Sequence, residues 1–214
     1  MARLLGARLD GKDERSRNFQ ALQAPIVHTV RHAHYGPILD QWVGSCTGHS
    51  AAQNLNCKPL HERREAYATD STAMDIYHLA TTLDPWPGVY PPTDTGSSVL
   101  AAAKATQKIG HISSYRWAFG FDQMLAALML TPVVVGTNWL QNMFNPDHNG
   151  YLNVSGSVAG GHAYLIVGYA SKARYFTMLN SWSVGWGKRG YAKIREADMR
   201  RLIENDGEAA VYVS

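Results

Sequence analysis

The periodicity of the sequence changes near Thr131, and this change limits the fold more than any other feature. Before it, apolar periods with capping residues predict helices over 46–56, 71–83, 94–110 and 121–130. After it, β-branched and aromatic runs between glycine-bearing turns predict six strands, over 132–138, 150–154, 163–169, 174–180, 190–195 and 209–213. Helices followed by strands predict an α+β protein with two lobes, a helical lobe packed on an antiparallel, barrel-like lobe.

Length and composition fit one compact enzyme domain. The chain has 214 residues, of which 45% are hydrophobic, and this is enough to bury a sizeable core. Residues 1–25 are polar and charged and are interpreted as an N-terminal extension, whereas residues 26–214 form the predicted domain. Its first part, 26–40, predicts a strand or an extended arm, and the two lobes divide at about residue 131.

Charge, apolar run length and motif spacing argue in turn against nucleic-acid binding, a membrane span and a metal site. The net charge of +3 is mild, and no run of lysine or arginine is long enough to indicate a nucleic-acid track. No apolar stretch reaches the roughly 18 residues that a membrane span needs. Neither a Cys-x-x-Cys nor a His-Glu-x-x-His spacing occurs, so neither a metal nor another cofactor is expected.

One short stretch, 41–49, has the sequence Gln-Trp-Val-Gly-Ser-Cys-Thr-Gly-His and predicts a tight turn followed by a helix that begins at Cys46. The unpaired N–H groups and the dipole at a helix N-terminus favour a thiolate over a thiol, and the same N–H groups can bind an oxyanion. Ser45 is a good residue for the N-cap. This stretch alone fits a reactive thiol and a buried core cysteine equally well.

Two later stretches favour the reactive thiol. Residues 160–169, Gly-Gly-His-Ala-Tyr-Leu-Ile-Val-Gly-Tyr, place His162 just inside a strand. Residues 179–191 place Asn180 at a strand end, followed by Ser-Trp-Ser-Val-Gly-Trp-Gly. A cysteine, a histidine and an asparagine are the nucleophile, the base and the orienting group of acyl-transfer triads.

With these motifs in this order, the sequence resembles the papain-like cysteine peptidases. Their signatures are a glutamine shortly before Gly-Ser-Cys, a Gly-His-Ala strand, and Asn-Ser-Trp followed by Trp-Gly and Gly-Tyr. The resemblance implies a papain-like two-lobe fold, with Cys46 on the helical side of a cleft and His162 and Asn180 on the other. It also implies an endopeptidase that cleaves a polypeptide or peptide substrate through a thioester.

The resemblance assigns further roles to residues around the cleft. Gln41 would share the oxyanion with the Cys46 backbone N–H, and Trp182 would shield the hydrogen bond between histidine and asparagine from water. The other candidate substrate-binding residues share small side chains beside the cleft, and they are Gly96, Ser97 and Gly161. His49, one helical turn after the nucleophile, is interpreted as a core histidine rather than a second base.

Several departures from the family pattern have consequences. Gln41 lies one residue closer to the cysteine than in the commoner members. Val43 stands where secreted relatives carry a bridging cysteine, and Cys57 has no partner if Cys46 is free, so a reducing compartment such as the cytoplasm is expected. Residues 1–25 look too short for the helical inhibitory propeptide of many members, which favours a bacterial or phage-type member without a prodomain.

Three functions fit these motifs. The first is a cysteine endopeptidase. The second keeps the triad but acts on another acceptor, as cell-wall peptide hydrolases and transglutaminases do, although Asn-Ser-Trp favours papain-like chemistry. The third is an inactive papain-like scaffold with a binding or assembly role, which the intact triad disfavours. The sequence gives no information on oligomeric state or on subsite preference.

Overall fold

The computed structural model describes residues 3–9, 27–63 and 65–214. Its helices are α1 Cys46–Leu55, α2 Asp70–Leu83, α3 Val99–Ile109, α4 Gly120–Leu128 and α5 Glu196–Glu204. Its strands are β1 Val30–Arg31, β2 Ser114–Trp117, β3 Val133–Leu140, β4 Val158–Ala170, β5 Tyr175–Leu179, β6 Tyr191–Arg195 and β7 Glu208–Val213. Short 3₁₀ turns cover Leu60–Arg63 and Gln141–Met143.

The strands form one antiparallel sheet around β4. Its hydrogen-bonded order is β2-β7-β3-β4-β5-β6, and β1 also pairs with β4. The start of β4 lies against β3, where His162 is opposite Thr137, and Leu165 further along is opposite Leu179 at the end of β5. Because β4 and β5 are antiparallel, the residue that follows β5 returns to the end of the sheet where β4 begins.

The hydrophobic core lies on both faces of this sheet. Successive side chains of a strand point to opposite faces. Leu165 and Val167 accordingly pack with residues of α1, α2 and α3, whereas Tyr164 and Ile166 pack with residues of α4 and α5. The predicted α+β class is therefore confirmed.

The helices that flank the site begin close to their predicted positions, with two differences. The helix α2 begins at Asp70, one residue before the predicted start, and the backbone N–H of its N-cap Thr69 donates to Thr72 Oγ1 at 3.2 Å. The helix α3 begins at Val99 instead of residue 94 and is capped by Ser98, whose hydroxyl accepts from the Ala101 N–H. Residues 94–98 are therefore free to form a wall of the cleft.

In the β lobe, five of the six predicted strands are present, and the prediction over 150–154 is wrong. There, only a single bridge joins Tyr151 to Lys193 of β6. The structure also contains β2 and the nine-residue α5, which the sequence patterns did not predict. The helix α5 follows β6 directly and packs Met199, Leu202 and Ile203 into the core.

Both cysteines, Cys46 and Cys57, are free and buried. Among the helices of the described ranges, none is long and apolar enough to cross a membrane. Residues 3–9, the part of the expected extension that the structure describes, lie against the folded domain. Ala7 forms a parallel bridge with Ser97, on the loop that leads into α3.

Candidate active site

Cys46 is the first residue of α1 and is fully buried. The helix α1 packs on β4, and the backbone N–H of Ala163 in β4 points at the sulfur, with 3.4 Å between the nitrogen and Sγ. The sulfur therefore lies against the residue that directly follows His162. The N-terminus of the helix and the start of β4 bring the two predicted catalytic residues to one place.

Ser45 occupies the N-cap position of α1, but its hydroxyl does not cap the helix. The Ser45 hydroxyl oxygen lies 3.0 Å from Nδ1 of His49, one helical turn further along. His49 is fully buried within the helical lobe, in agreement with its interpretation as a core histidine. Because the serine hydroxyl is turned away, it leaves the N–H groups of the first turn free for a ligand.

His162 and Asn180 are joined by a hydrogen bond of 2.8 Å between Nε2 and Oδ1. Asn180 directly follows β5, and its Oδ1 also accepts from the backbone N–H of Ser181 at 2.9 Å, which fixes the orientation of the amide. The other ring nitrogen, Nδ1, is buried and has no hydrogen-bond partner among the residues that the structure describes. Nδ1 is therefore the nitrogen that remains available for a proton from Cys46.

Two tryptophans enclose the imidazole of His162. Trp182 stacks on it with ring centroids 4.7 Å apart, and Trp139 meets it edge-on at 4.8 Å. Burial among these rings lowers the pKa of His162 to about 4, because a low-dielectric environment disfavours the imidazolium form, although the bond to Asn180 acts in the opposite direction. Trp182 is thus placed where it was expected to shield the His162–Asn180 hydrogen bond.

The side chain of Gln41 reaches the cleft despite its shorter spacing from the cysteine. Its backbone N–H donates to the Ser181 carbonyl at 2.9 Å, and its Oε1 accepts from the Ser181 hydroxyl at 2.6 Å. The amide nitrogen Nε2 then donates to the carbonyls of Leu4 at 3.1 Å and Val43 at 3.2 Å. A donor of Gln41 therefore faces a carbonyl oxygen that lies in the cleft.

The opposite wall of the cleft is formed by Gly96 and Ser97. The Ser97 N–H donates to the Gly6 carbonyl, and the Ser97 carbonyl accepts from the Arg8 N–H, both at 2.8 Å. Across the cleft, the Gly161 carbonyl accepts from the Ala7 N–H at 3.1 Å. All eight residues that the sequence indicated, Gln41, Cys46, Gly96, Ser97, Gly161, His162, Asn180 and Trp182, therefore surround one cleft.

A hydrogen-bonded relay that the sequence did not indicate joins the cysteine turn to this wall. Asp94 accepts the Gly44 N–H at 2.8 Å and the Tyr77 hydroxyl at 2.5 Å, and that hydroxyl accepts the Gly96 N–H at 3.0 Å. Asp94 and Tyr77 thus hold the two sides of the cleft at a fixed separation. An aspartate before a glycine-serine pair predicts only a helix cap, so no signal in the sequence indicated this contact.

The cleft is filled by the chain's own residues 3–9, which we call the N-terminal segment. It passes so close to the cleft that two glycines are required. A Cβ atom on Gly6 would lie 1.7 Å from the Gly44 carbonyl oxygen, and a Cβ atom on Gly161 would lie 1.8 Å from that of Ala7. The segment therefore covers the sulfur of Cys46, which is fully buried.

Burial of the sulfur under the N-terminal segment keeps the Cys46 thiol uncharged. Burial raises the pKa of Cys46 to about 11, and the backbone N–H groups of Ala163, Gly6, Thr47 and Ala7 that face the sulfur only partly offset it. With the segment in place, the site therefore holds a thiol and a neutral imidazole at neutral pH. A thiolate–imidazolium pair does not belong to this closed state.

Comparison with known families gives an independent result. The model of the family described as "Papain family cysteine protease" matches residues 89–211, more than half of the chain. The match contains His162 and Asn180 and begins after Cys46. Two curated relatives from Caenorhabditis elegans are the cathepsin B-like cysteine proteinases 4 and 5. They are 26% identical over 71% of this chain and 28% identical over 79% of it.

Solved structures show the same fold. Xylellain, a cysteine protease from Xylella fastidiosa, superposes with a TM-score of 0.79 at 18% identity over 98% of this chain and 96% of its own. The digestive procathepsin L 3 of Tenebrio molitor larval midgut gives 0.66 at 16% identity over 98% and 76%. This chain spans only 45% and 50% of the two nematode proteinases.

Proposed function

Because this chain belongs to the papain family of cysteine proteases, we propose that it is a peptidase that hydrolyses peptide bonds through Cys46, His162 and Asn180. One observation carries the proposal. His162 bonds to Asn180 through Nε2, and its buried Nδ1 has no partner among the described residues, while the sulfur of Cys46 lies 3.4 Å from the backbone nitrogen of Ala163.

The proposal assigns a residue to each step of the reaction. His162 takes the proton of the Cys46 thiol, and the thiolate attacks the carbonyl carbon of a peptide bond. The oxyanion that forms is bound by the Cys46 backbone N–H and the Gln41 side-chain amide. His162 then gives its proton to the leaving amine, and a thioester remains. A water molecule, deprotonated by His162, hydrolyses that thioester, which releases the acid and restores the thiol.

The closed state prevents this reaction. The N-terminal segment presents amide N–H groups of Gly6 and Ala7 to the sulfur, whereas a thiolate attacks a carbonyl carbon. A peptide substrate therefore has to replace the segment before Cys46 can react. Once the sulfur meets solvent and substrate, the burial that raises the pKa of the thiol is removed, and transfer of its proton to His162 becomes more favourable.

The test is hydrolysis of casein and of peptidoglycan fragments by the full chain, with Cys46→Ala as the inactive variant. Cys57→Ala is the matched control, because Cys57 is also free and buried but lies away from the imidazole. We expect casein cleavage that Cys46→Ala abolishes and Cys57→Ala retains. Turnover of wall peptides alone would select the wall hydrolase, and cleavage that survives Cys46→Ala would refute the proposal.

A further inference from the structure

The side chain of Arg8 makes a cation–π contact beside the cleft. Its backbone N–H is fixed on the Ser97 carbonyl at 2.8 Å. Its guanidinium carbon lies 4.6 Å from the centroid of the Trp86 ring. A guanidinium this close to an indole face is attracted by the negative face of the ring, and tryptophan is the strongest of the aromatic partners.

Asp84 fixes the position of Trp86 and also bonds to Ser97 in the wall of the cleft. The carboxylate of Asp84 accepts the Trp86 backbone N–H at 3.1 Å through one oxygen and the Ser97 hydroxyl at 2.7 Å through the other. The Asp84 carboxylate therefore fixes both Ser97, which binds the main chain of the segment, and Trp86, which contacts its Arg8 side chain. Trp86 is only half-buried, so the ring face that contacts Arg8 becomes accessible to a ligand when the segment leaves.

The surroundings also favour a positive charge. Arg8 and Asp94 line the same cavity of about 240 Å³ beside the cleft. The Asp94 carboxylate already accepts two hydrogen bonds, from Gly44 and Tyr77, so it is fixed in position. The fixed carboxylate that lines this cavity and the indole face that contacts Arg8 both select a cation over an apolar or anionic group.

We propose that Trp86, positioned by Asp84, forms a subsite that selects an arginine or lysine side chain of the bound peptide. Arg8 of the N-terminal segment occupies this subsite in the closed state. The proposal rests on the proposed function, since it names the substrate class of that same cleft: extended peptides with a basic residue beside Ser97.

The first experiment uses the full chain and needs no turnover. Iodoacetamide reaches Cys46 only when the N-terminal segment leaves, so the alkylation rate reports the open fraction. An exposed cation–π contact supports a change of about two- to fivefold. We expect Arg8→Ala and Trp86→Ala each to raise the rate by that factor, the double variant to raise it no further, and Trp86→Phe to restore part of the slow rate.

The second experiment measures selection in trans. In the Gly6→Val variant the N-terminal segment cannot bind in the cleft. The synthetic peptide Arg-Leu-Leu-Gly-Ala-Arg, which has the sequence of residues 3–8, should then protect Cys46 from iodoacetamide. It should do so at about a two- to fivefold lower concentration than the same peptide with norleucine as its last residue. The preference should disappear in Gly6→Val with Trp86→Ala and return in part with Trp86→Phe.

The proposal is overturned if Trp86→Ala labels at the wild-type rate, if the two single effects multiply in the double variant, or if the norleucine peptide protects equally well. These outcomes are separate from a failure of the proposed function. A chain that shows the coupling between Arg8 and Trp86 but cleaves no peptide keeps the subsite and loses the peptidase activity.

Discussion

The hydroxyl of Ser181 donates a hydrogen bond of 2.6 Å to Oε1 of Gln41, across the seam between the two lobes. Because the oxygen of this amide is taken, its nitrogen is the atom that faces the cleft, where it meets the Leu4 carbonyl. The contact compensates for the shorter distance in sequence between Gln41 and Cys46. It also makes Ser181 a positioning residue for the proposed oxyanion site.

The first prediction concerns this pair. Gln41→Ala removes a donor to the oxyanion and should lower kcat by about 10²–10³. Ser181→Ala leaves the donor but frees the amide to rotate, so kcat should fall by about two- to tenfold, as expected for one neutral hydrogen bond. Steady-state kinetics on a casein-derived peptide measure both effects.

The control for this series is Ser171→Ala, which removes a hydroxyl that bonds to Thr29 on the surface. It should leave kcat unchanged. If Ser181→Ala also leaves kcat unchanged while Gln41→Ala lowers it, Ser181 does not position the amide.

The second prediction concerns closure of the cleft. Gly6→Val forces a side chain into the space of the Gly44 carbonyl, so the N-terminal segment should leave the cleft. Alkylation of Cys46 by iodoacetamide and hydrolysis of casein should both become faster than in the wild type. Gly185→Val is the control, because a Cβ atom there meets only the Ser183 hydroxyl at an ordinary 3.5 Å. Equal labelling of wild type and Gly6→Val would show that the segment does not cover the sulfur in solution.

The third prediction concerns pH. Burial in the closed state raises the pKa of Cys46 to about 11, and a thiolate is the reactive form, so alkylation of the wild type, which has to open first, should increase up to strongly alkaline pH. Opening the cleft removes the burial that disfavours the thiolate. The midpoint of the pH–rate profile should therefore lie at lower pH in Gly6→Val, and a midpoint unchanged from wild type would contradict this electrostatic account.

The sequence predicted the elements that carry the site because their signals are local. A glycine-serine turn before Cys46 and a β-branched run after His162 each specify an element within about ten residues. The helix α5 carried the same kind of signal, with Met199, Leu202 and Ile203 at helical spacing. It was not predicted because it lies directly after β6 in a region of strand patterns.

The contacts that close and fix the site could not be predicted from the sequence, because they join distant segments. The N-terminal segment meets Gln41, Ser97 and Gly161, whereas the charged composition of residues 1–25 as a whole predicts only an extension of the domain. The relay through Asp94 likewise connects side chains whose local roles, a cap and a core tyrosine, are ordinary. The roles of Cys46, His162 and Asn180 in catalysis remain predictions that the following experiments address.

The fourth prediction concerns Trp182, which stacks on His162 and also contacts Trp139 and Phe144. Trp182→Ala leaves a cavity in this aromatic cluster, and urea denaturation should show a loss of about 3–5 kcal/mol. Trp182→Phe keeps an aromatic ring over the imidazole and should retain more of both stability and activity. If the two variants unfold at the same urea concentration, the stacked ring does not stabilise the site.

The most direct test of the peptidase mechanism is to find which sulfur a peptidyl epoxide modifies, by mass spectrometry of the Gly6→Val chain at pH 7. The account predicts one adduct, on Cys46, that is lost in Gly6→Val with His162→Ala. Cys57 should remain unmodified, because burial raises its pKa to about 12. Modification of Cys57 at the same rate, or of Cys46 at an undiminished rate without the imidazole, would contradict the claim that His162 activates Cys46.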